Sequence, residues 1–274
     1  MEGIDMQKDA FGIIGYGKMG SSILKGTLKS ALFDPSEVMV YDLDPSRRTE
    51  AAATGIKIVN SIEEMANCSQ ILVAVKPKDV PALAERLKAI LSKGRTLVIS
   101  IAAGIKISNL ESRLGEGTRI IRVMPNIAAA VGEAASVYVA NRNATKQDIA
   151  FASKLLNGIG VAYQLEDETL IDTVTGLSGS GPAYFFYIMR ALDEVGRRSG
   201  LPAPLARSLV SQTCKGAGAL AAASSEEFDR LIRFVASPGG TTEEALKIID
   251  AKGVSSAIID AATAAIEKAK RMNY

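Results

Sequence analysis

One short stretch limits the folds open to this chain more than any other. Gly15, Gly17 and Gly20 stand in the spacing G-x-G-x-x-G directly after the apolar run Phe11 to Ile14. The residues that follow place apolar side chains at Ile23, Leu24 and Leu28, the spacing of one helical face. A strand, a glycine turn and a helix in that order open a dinucleotide-binding βαβ unit. The first glycine makes the turn, the second lets backbone approach a pyrophosphate, and the third packs helix against strand. The exposed helix N-terminus then attracts the anion. The loop Gly15, Tyr16, Gly17, Lys18, Met19 and Gly20 is therefore predicted to hold NADP or NAD.

The same alternation continues through residue 165. Short β-branched runs at Val38 to Tyr41, Ile56 to Val59, Ile71 to Val75, Thr96 to Ile101 and Arg119 to Val123 are separated by helical stretches. That pattern closes into a parallel sheet covered on both faces. Runs at Ser136 to Ala140 and Gly160 to Leu165 are placed to extend it. Residues 1–165 are predicted as a Rossmann-type α/β dinucleotide-binding domain.

After Glu166 strand-like runs disappear, and Ala-rich segments punctuated by Gly, Pro and Ser predict an all-helical domain over 166–274. Pro182 suits the first turn of a helix ending near Ser199, with Gly200 as its left-handed stop and Pro202 beyond. Ser224 with Glu227, and Thr241 with Glu244, have capping-box spacing and mark two further helix starts. Small residues crowd Lys215 to Ala223 and Ser255 to Arg271, which permits close approach between helices. About 110 small-sided helical residues make a thin core alone. The domain is expected to pair with a second copy, as a homodimer or an assembly of dimers.

Composition narrows the chemistry. The 274 residues contain no His, which excludes an imidazole base, a Ser-His pair and a His metal ligand. Proton work must fall to carboxylate, Lys, Tyr, Thr, water or the substrate. Lys and Arg total 32 against 30 for Asp and Glu, so the chain lacks the basic field of a nucleic-acid binder. A small molecule is the expected partner, with no nucleic acid, membrane or metal. Cys68 and Cys214 stand far apart and are expected to be reduced core residues. Met1 to Asp9 carries Glu2, Asp5 and Asp9, unlike an export signal. The longest apolar stretch, Leu97 to Ile105, is about half the ~18 residues of a bilayer span. A cytoplasmic protein is expected.

Candidate contacts beyond the glycine loop lie where strands end. Asp42 follows Gly20 by 22 residues, where a carboxylate can accept ribose hydroxyls and would repel a 2′-phosphate. Arg47 and Arg48 stand within reach of such a phosphate, so NAD and NADP both remain open. The alternative makes Asp42 a turn residue ahead of Pro45 and the arginines a solvated helix face. Val75, Lys76 and Pro77 end the fourth strand, and Ala102, Ala103 and Gly104 follow the fifth, at the edge where open α/β sheets bind ligands. In the helical half, Ser237, Pro238, Gly239, Gly240, Thr241 and Thr242 join two helices. Flexible glycines, free helix amides and adjacent hydroxyls suit this turn to a small carboxylate. As a bare loop it reads more readily as a capped interhelical turn that binds nothing.

Leu177 to Tyr184 reads LSGSGPAY and Val235 to Thr242 reads VASPGGTT. With GIIGYGKMG at Gly12 to Gly20, AVKP at Ala74 to Pro77, SIAAGI at Ser100 to Ile105 and RVMPN at Arg122 to Asn126, the chain resembles the pyrroline-5-carboxylate reductase family over nearly its whole length. The resemblance implies a Rossmann domain, a helical domain intertwined with a partner, and substrate bound between subunits. It implies NAD(P)H-dependent reduction of the C=N bond of 1-pyrroline-5-carboxylate to L-proline, the last step of proline biosynthesis. Ser237, Gly240, Thr241 and Thr242 then take the substrate carboxylate and ring nitrogen, with Thr242 as the catalytic contact. Glu168, in E-x-x-x-D with Asp172, lines the substrate pocket. Cofactor contacts fall on the glycine loop, Val75 to Pro77, Ala102, Ala103 and Asn126.

Two departures stand out. Met124 to Ala129 reads MPNIAA where members often read MPNTPA, and Phe234 stands where a polar residue commonly precedes the valine. A protonated imine is an electrophile without an enzyme acid, which suits a chain lacking His. One rival reading is a reductase of another cyclic imine, or a β-hydroxy acid dehydrogenase, for which Lys215 has no motif around it. Another is a non-catalytic NAD(P) sensor, motivated by Ile127, Ala128 and Phe234.

Overall fold

The structure, a computed structural model, describes residues 10–91 and 95–272. Two compact units divide it. One runs to Gly179 and is rejoined by the chain from Ala265, and the other spans Ser180–Ala264.

The first unit carries strands β1 (Ala10–Ile14), β2 (Val38–Tyr41), β3 (Lys57–Ile58), β4 (Cys68–Val73), β5 (Leu97–Ser100), β6 (Arg119–Met124), β7 (Ala134–Ala140) and β8 (Gly160–Gln164). Its helices are α1 (Lys18–Lys29), α2 (Pro45–Ala52), α3 (Val80–Ile90), α4 (Ile107–Leu114), α5 (Lys146–Asn157) and α6 (Leu170–Val174). The strands form one sheet in the order β3-β2-β1-β4-β5-β6-β7-β8. From β3 to β6 all neighbours are parallel. Only nine residues, 125–133, join β6 to β7, too few for the crossover a parallel partner requires, so β7 runs back antiparallel.

Alternation along each strand sorts the core. Phe11, Ile13, Leu72, Ile99 and Ile121 face one side, where they meet Ile23 and Leu24 of α1 and Leu155 and Leu156 of α5. Ile14, Ile71, Val73, Val98 and Ile120 face the other, with Leu87 of α3, Leu110 of α4 and Ile171 of α6. Each fully buried aliphatic of this kind contributes roughly 1.5–3 kcal/mol. Phe11 stacks on Phe33 at 5.2 Å, and Phe151 meets both rings edge-on. The run Ile56 to Val59 shortens to two residues, and the fourth strand ends at Val73 because Val75 belongs to the loop entering Pro77.

After α6 the backbone widens into a single π turn, Thr175–Gly179. Ile266, from the returning tail, lies so close that a Cβ on Gly176 would sit 2.8 Å from its backbone nitrogen.

The second unit holds α7 (Gly181–Arg198), α8 (Ala203–Ala223), α9 (Phe228–Val235), α10 (Thr241–Ala251) and the start of α11 (Val254–Lys270). Pro182 stands in the first turn of α7, and Gly200 follows its end at φ +94°, as the sequence predicts. The two predicted capping boxes do not form. Ser224 ends α8 and accepts the Glu226 N–H, while Glu227 precedes α9 without a side-chain cap bond. Helix α10 begins one residue earlier than expected, so its N-cap is Gly240, and Glu243, not Glu244, reaches back to the Gly239 N–H at 2.7 Å. Only Gly181 and Ala206 are buried in α7 through α10. Phe185, Phe186, Leu192 and Val195 of α7 are all more than half exposed. Both cysteines are free, but only Cys68 is a core residue; Cys214, on a helix with almost no core of its own, is half-buried.

Candidate active site

The parallel order β2-β1-β4-β5-β6 brings five strand ends into one row, with β1 and β4 at the point where chain direction across the sheet reverses. At the end of β1, Gly15 has φ +100°, and a Cβ there would lie 2.6 Å from the Ala74 carbonyl oxygen. A Cβ on Gly20 would overlap the Gly15 carbonyl. Side chains are thus barred from both positions. The loop is pinned by the Gly15 N–H donating to Tyr41 at 2.8 Å, and the Ala74 N–H binds the Ile14 carbonyl beside it, also at 2.8 Å. Gly17 caps α1 without a side chain, and no acidic residue occupies the first turn. The first amides of α1 therefore remain available to an anion. A cradle that any Cβ would fill, backed by unclaimed amides, fits the diphosphate of a dinucleotide.

Asp42, at the end of β2, is buried, with Oδ2 accepting the Tyr16 N–H at 2.6 Å and Oδ1 the Asp44 N–H at 2.8 Å. It ties the second strand to the glycine loop while one lone pair remains on each oxygen. Arg47 lies 3.7 Å from the same carboxylate and 3.5 Å from where a Gly17 Cβ would stand. A cation thus borders the cradle. Arg48 donates instead to the Asp42 carbonyl at 3.3 Å. Burial raises the Tyr16 phenol above its ordinary range, with Glu50 adding to the effect. Asp44, whose carboxylate caps α2, is held below the usual range by hydrogen bonds from Ser46.

Val75, Lys76 and Pro77 lead from β4, with Lys76 exposed ahead of a short turn. Ala102 and Ala103 lead from β5, where the Ile101 N–H still binds Val73 at 3.1 Å and Ala102 is buried. Beyond β6, Asn126 accepts the Ala128 N–H at 3.2 Å and donates to the Ser178 carbonyl at 3.0 Å. Its side chain fastens the π turn to the strand end. Ile127 opens a 3-10 turn and is 42% exposed, so its side chain takes no part in the core.

Glu168 has partners that the sequence did not reveal. Its Oε1 accepts from Arg122 and from the Ile107 N–H, both at 2.7 Å, and Asp172 lies 3.6 Å from the same guanidinium. Two signals could have found this. Arg122 is a charge inside a strand-like run, which demands a buried partner, and Glu168 and Asp172 are spaced to share one helical face.

In the second unit, Ser237 to Thr242 forms a tight turn. The Gly240 N–H donates to the Ser237 carbonyl at 3.0 Å, and Gly239 has φ +72°. Ser237 and Thr241 are exposed, Thr242 is half-buried, and the N-terminus of α10 has no side-chain cap. The turn gathers Ser237, Gly240, Thr241 and Thr242 in one place. Phe234, 63% exposed, carries the Arg230 guanidinium 5.5 Å above its ring.

Comparison with known proteins decides the family. The family model for pyrroline-5-carboxylate reductase dimerisation matches residues 168–272, and one for coenzyme F420-dependent NADP oxidoreductases matches 10–104. The pyrroline-5-carboxylate reductase of Pisum sativum is 38% identical over 100% of both chains. The chain belongs to the pyrroline-5-carboxylate reductase family. A solved reductase of this family from Coxiella burnetii superposes with TM-score 0.91 at 32% identity, covering 98% of this chain and 100% of that one. A Plasmodium falciparum pyrroline carboxylate reductase with NADP bound superposes with TM-score 0.87 at 30% identity and the same coverage. Family and fold make this chain an NAD(P)-dependent oxidoreductase with a Rossmann-type domain followed by a helical dimerisation-type domain. Among the described residues no cluster of metal-ligating side chains occurs, and no helix is long and apolar enough to cross a membrane.

Proposed function

We propose that this family member transfers hydride from NADPH or NADH to the C=N bond of 1-pyrroline-5-carboxylate, giving L-proline, as a cytoplasmic homodimer or assembly of dimers. The observation that carries this reading is the end-to-end match to pyrroline-5-carboxylate reductases. The division of labour follows the domains read from the sequence, 1–165 for the cofactor and 166–274 for substrate and dimerisation. Exposed apolar side chains along α7 support a second copy as the cover of the helical unit.

The glycine cradle and the α1 amides hold the diphosphate, with Val75 to Pro77, Ala102, Ala103 and Asn126 lining the strand ends toward the nicotinamide. Arg47 gives a 2′-phosphate a partner, while Asp42 keeps lone pairs for ribose hydroxyls, so both cofactors are accommodated. When bound, the reduced nicotinamide supplies the hydride. Ser237, Gly240 and Thr241 take the substrate carboxylate, the Thr242 hydroxyl oxygen accepts the N–H of the protonated ring nitrogen, and Glu168 is a further residue of the substrate pocket. Because the protonated imine is already electrophilic, these residues need only orient it and exclude water.

Steady-state oxidation of NADPH and of NADH with pyrroline-5-carboxylate tests the reading directly. Turnover with at least one is expected; cofactor binding without turnover of any cyclic imine would point to a sensor. Thr242→Ala should lower kcat by about 10–100-fold, the size of a hydrogen bond to a charged group, and Thr242→Ser should recover most of it. If both variants match the wild type, Thr242 has no part in the chemical step.

A further inference from the structure

Two successive amides of the glycine loop are taken by two successive residues at the end of β2. The Gly15 N–H donates to the Tyr41 carbonyl at 2.8 Å, and the Tyr16 N–H donates to Asp42 Oδ2 at 2.6 Å. Asp42 Oδ1 accepts the Asp44 N–H at 2.8 Å, so neither oxygen is free to turn away. The Asp42 side chain is 8% exposed. Its charge is therefore fixed against the diphosphate cradle and only weakly screened by water.

Arg47, the cation that pairs with this carboxylate, is placed differently. Its side chain is 46% exposed, 3.7 Å from Asp42 and 3.8 Å from Asp44. Two carboxylates share its charge, and solvent screens what is left. Arg48 donates to the Asp42 carbonyl, and Leu43, next along the chain, is exposed and apolar where a third cation could have stood. The two candidate dinucleotides differ at one place on the adenosine ribose. NADH offers two hydroxyls there, both donors suited to the lone pairs left on Asp42, whereas NADPH replaces one donor with a phosphate of about two negative charges. Against a fixed, buried carboxylate that exchange loses a charge-assisted hydrogen bond and adds repulsion, and an exposed, paired arginine offsets only part of it. Both dinucleotides fit the cradle, but not equally.

We infer that Asp42 is a specificity-determining residue: through it this chain binds NADH more tightly than NADPH. The inference rests on the cofactor reading proposed above and ranks the two dinucleotides that reading admits. The test is the Kd of NADH and of NADPH, followed by the fluorescence of the reduced nicotinamide, for wild type, Asp42→Asn and Arg47→Ala. Wild type should bind NADH roughly 10–100-fold more tightly, the size of one hydrogen bond to a charged group. Asp42→Asn keeps an oxygen for the Tyr16 N–H but drops the charge, and should bring the two Kd values within about threefold of each other. A purely structural role for Asp42 would weaken both dinucleotides alike and leave their ratio standing. Arg47→Ala should weaken NADPH by no more than about fivefold, the scale of an exposed ion pair; a larger loss would make Arg47 the arbiter.

A wild type that binds NADPH as tightly as NADH or more so, an unchanged ratio in Asp42→Asn, or that larger loss in Arg47→Ala would each overturn the inference. If Asp42→Asn does not fold, adenosine 5′-monophosphate and adenosine 2′,5′-bisphosphate, each competing with NADH on the wild type, decide it. The bisphosphate should bind roughly tenfold more weakly; equal or tighter binding overturns the inference. A wild type that binds neither dinucleotide sinks the cofactor reading itself, a result distinct from all of these.

Discussion

At Cys68 burial works against ionisation. The thiol is 2% exposed and is pushed up to about 11 from an ordinary value of 9.0, mainly by desolvation, with Lys57 opposing weakly. The folded chain therefore keeps a proton that the unfolded chain sheds first. Its contribution to stability is complete below pH 9 and is lost as pH rises toward 11. The slope approaches about 1.4 kcal/mol per pH unit. Urea denaturation across that window should show a falling midpoint, shallower in Cys68→Ala; an identical slope in the variant would remove Cys68 as the cause. Tyr16, also raised, titrates in both proteins and cancels in the comparison. At this scale the sequence spoke clearly only where a requirement is local. Gly15 and Gly20 were legible because their spacing alone encodes the turn and the close approach. The Tyr16 amide on Asp42 spans 26 positions and the Arg122 pair with Glu168 spans 46; local spacing marks Arg122 as needing a partner, but nothing local says which residue it is.

Asp148 shows how one side chain can set an element in place. It reaches back to the Thr145 N–H at 2.7 Å to cap α5, and it takes the Arg119 guanidinium of β6 at 3.0 Å. Asp148 is 5% exposed, and its removal leaves the half-buried Arg119 without its carboxylate, holding only the Arg95 carbonyl. Asp148→Ala should cost about 3 kcal/mol, against about 1 kcal/mol for Thr145→Ala, which loses only the cap. Chemical denaturation of the two variants checks the order; equal losses would reduce Asp148 to a cap. The central strands were readable from β-branched runs because both of their faces are buried. The capping boxes were misread because the N-cap falls at Glu227 instead of Ser224 in α9 and at Gly240 instead of Thr241 in α10, which changes the side chains that face the free amides, and periodicity does not fix that residue.

Across the molecule, sequence composition and compactness mark different boundaries. Strand-like runs stop at Glu166, yet α6 still buries Ile171 beneath the sheet, and the compact division falls at Gly179. The helical unit is nearly coreless in one copy, which small side chains foretold and exposed Phe185, Phe186 and Leu192 now explain. Leu192→Glu should convert a sedimenting dimer, or larger assembly, into monomer and lower Tm. A wild type that sediments as a monomer at micromolar concentration would refute the expected pairing. Ile266 against Gly176 has a consequence for biosynthesis. The piece that closes over the π turn comes after Ser180–Ala264 in the chain, so the ribosome must make that whole intervening unit before the nucleotide-binding unit can close.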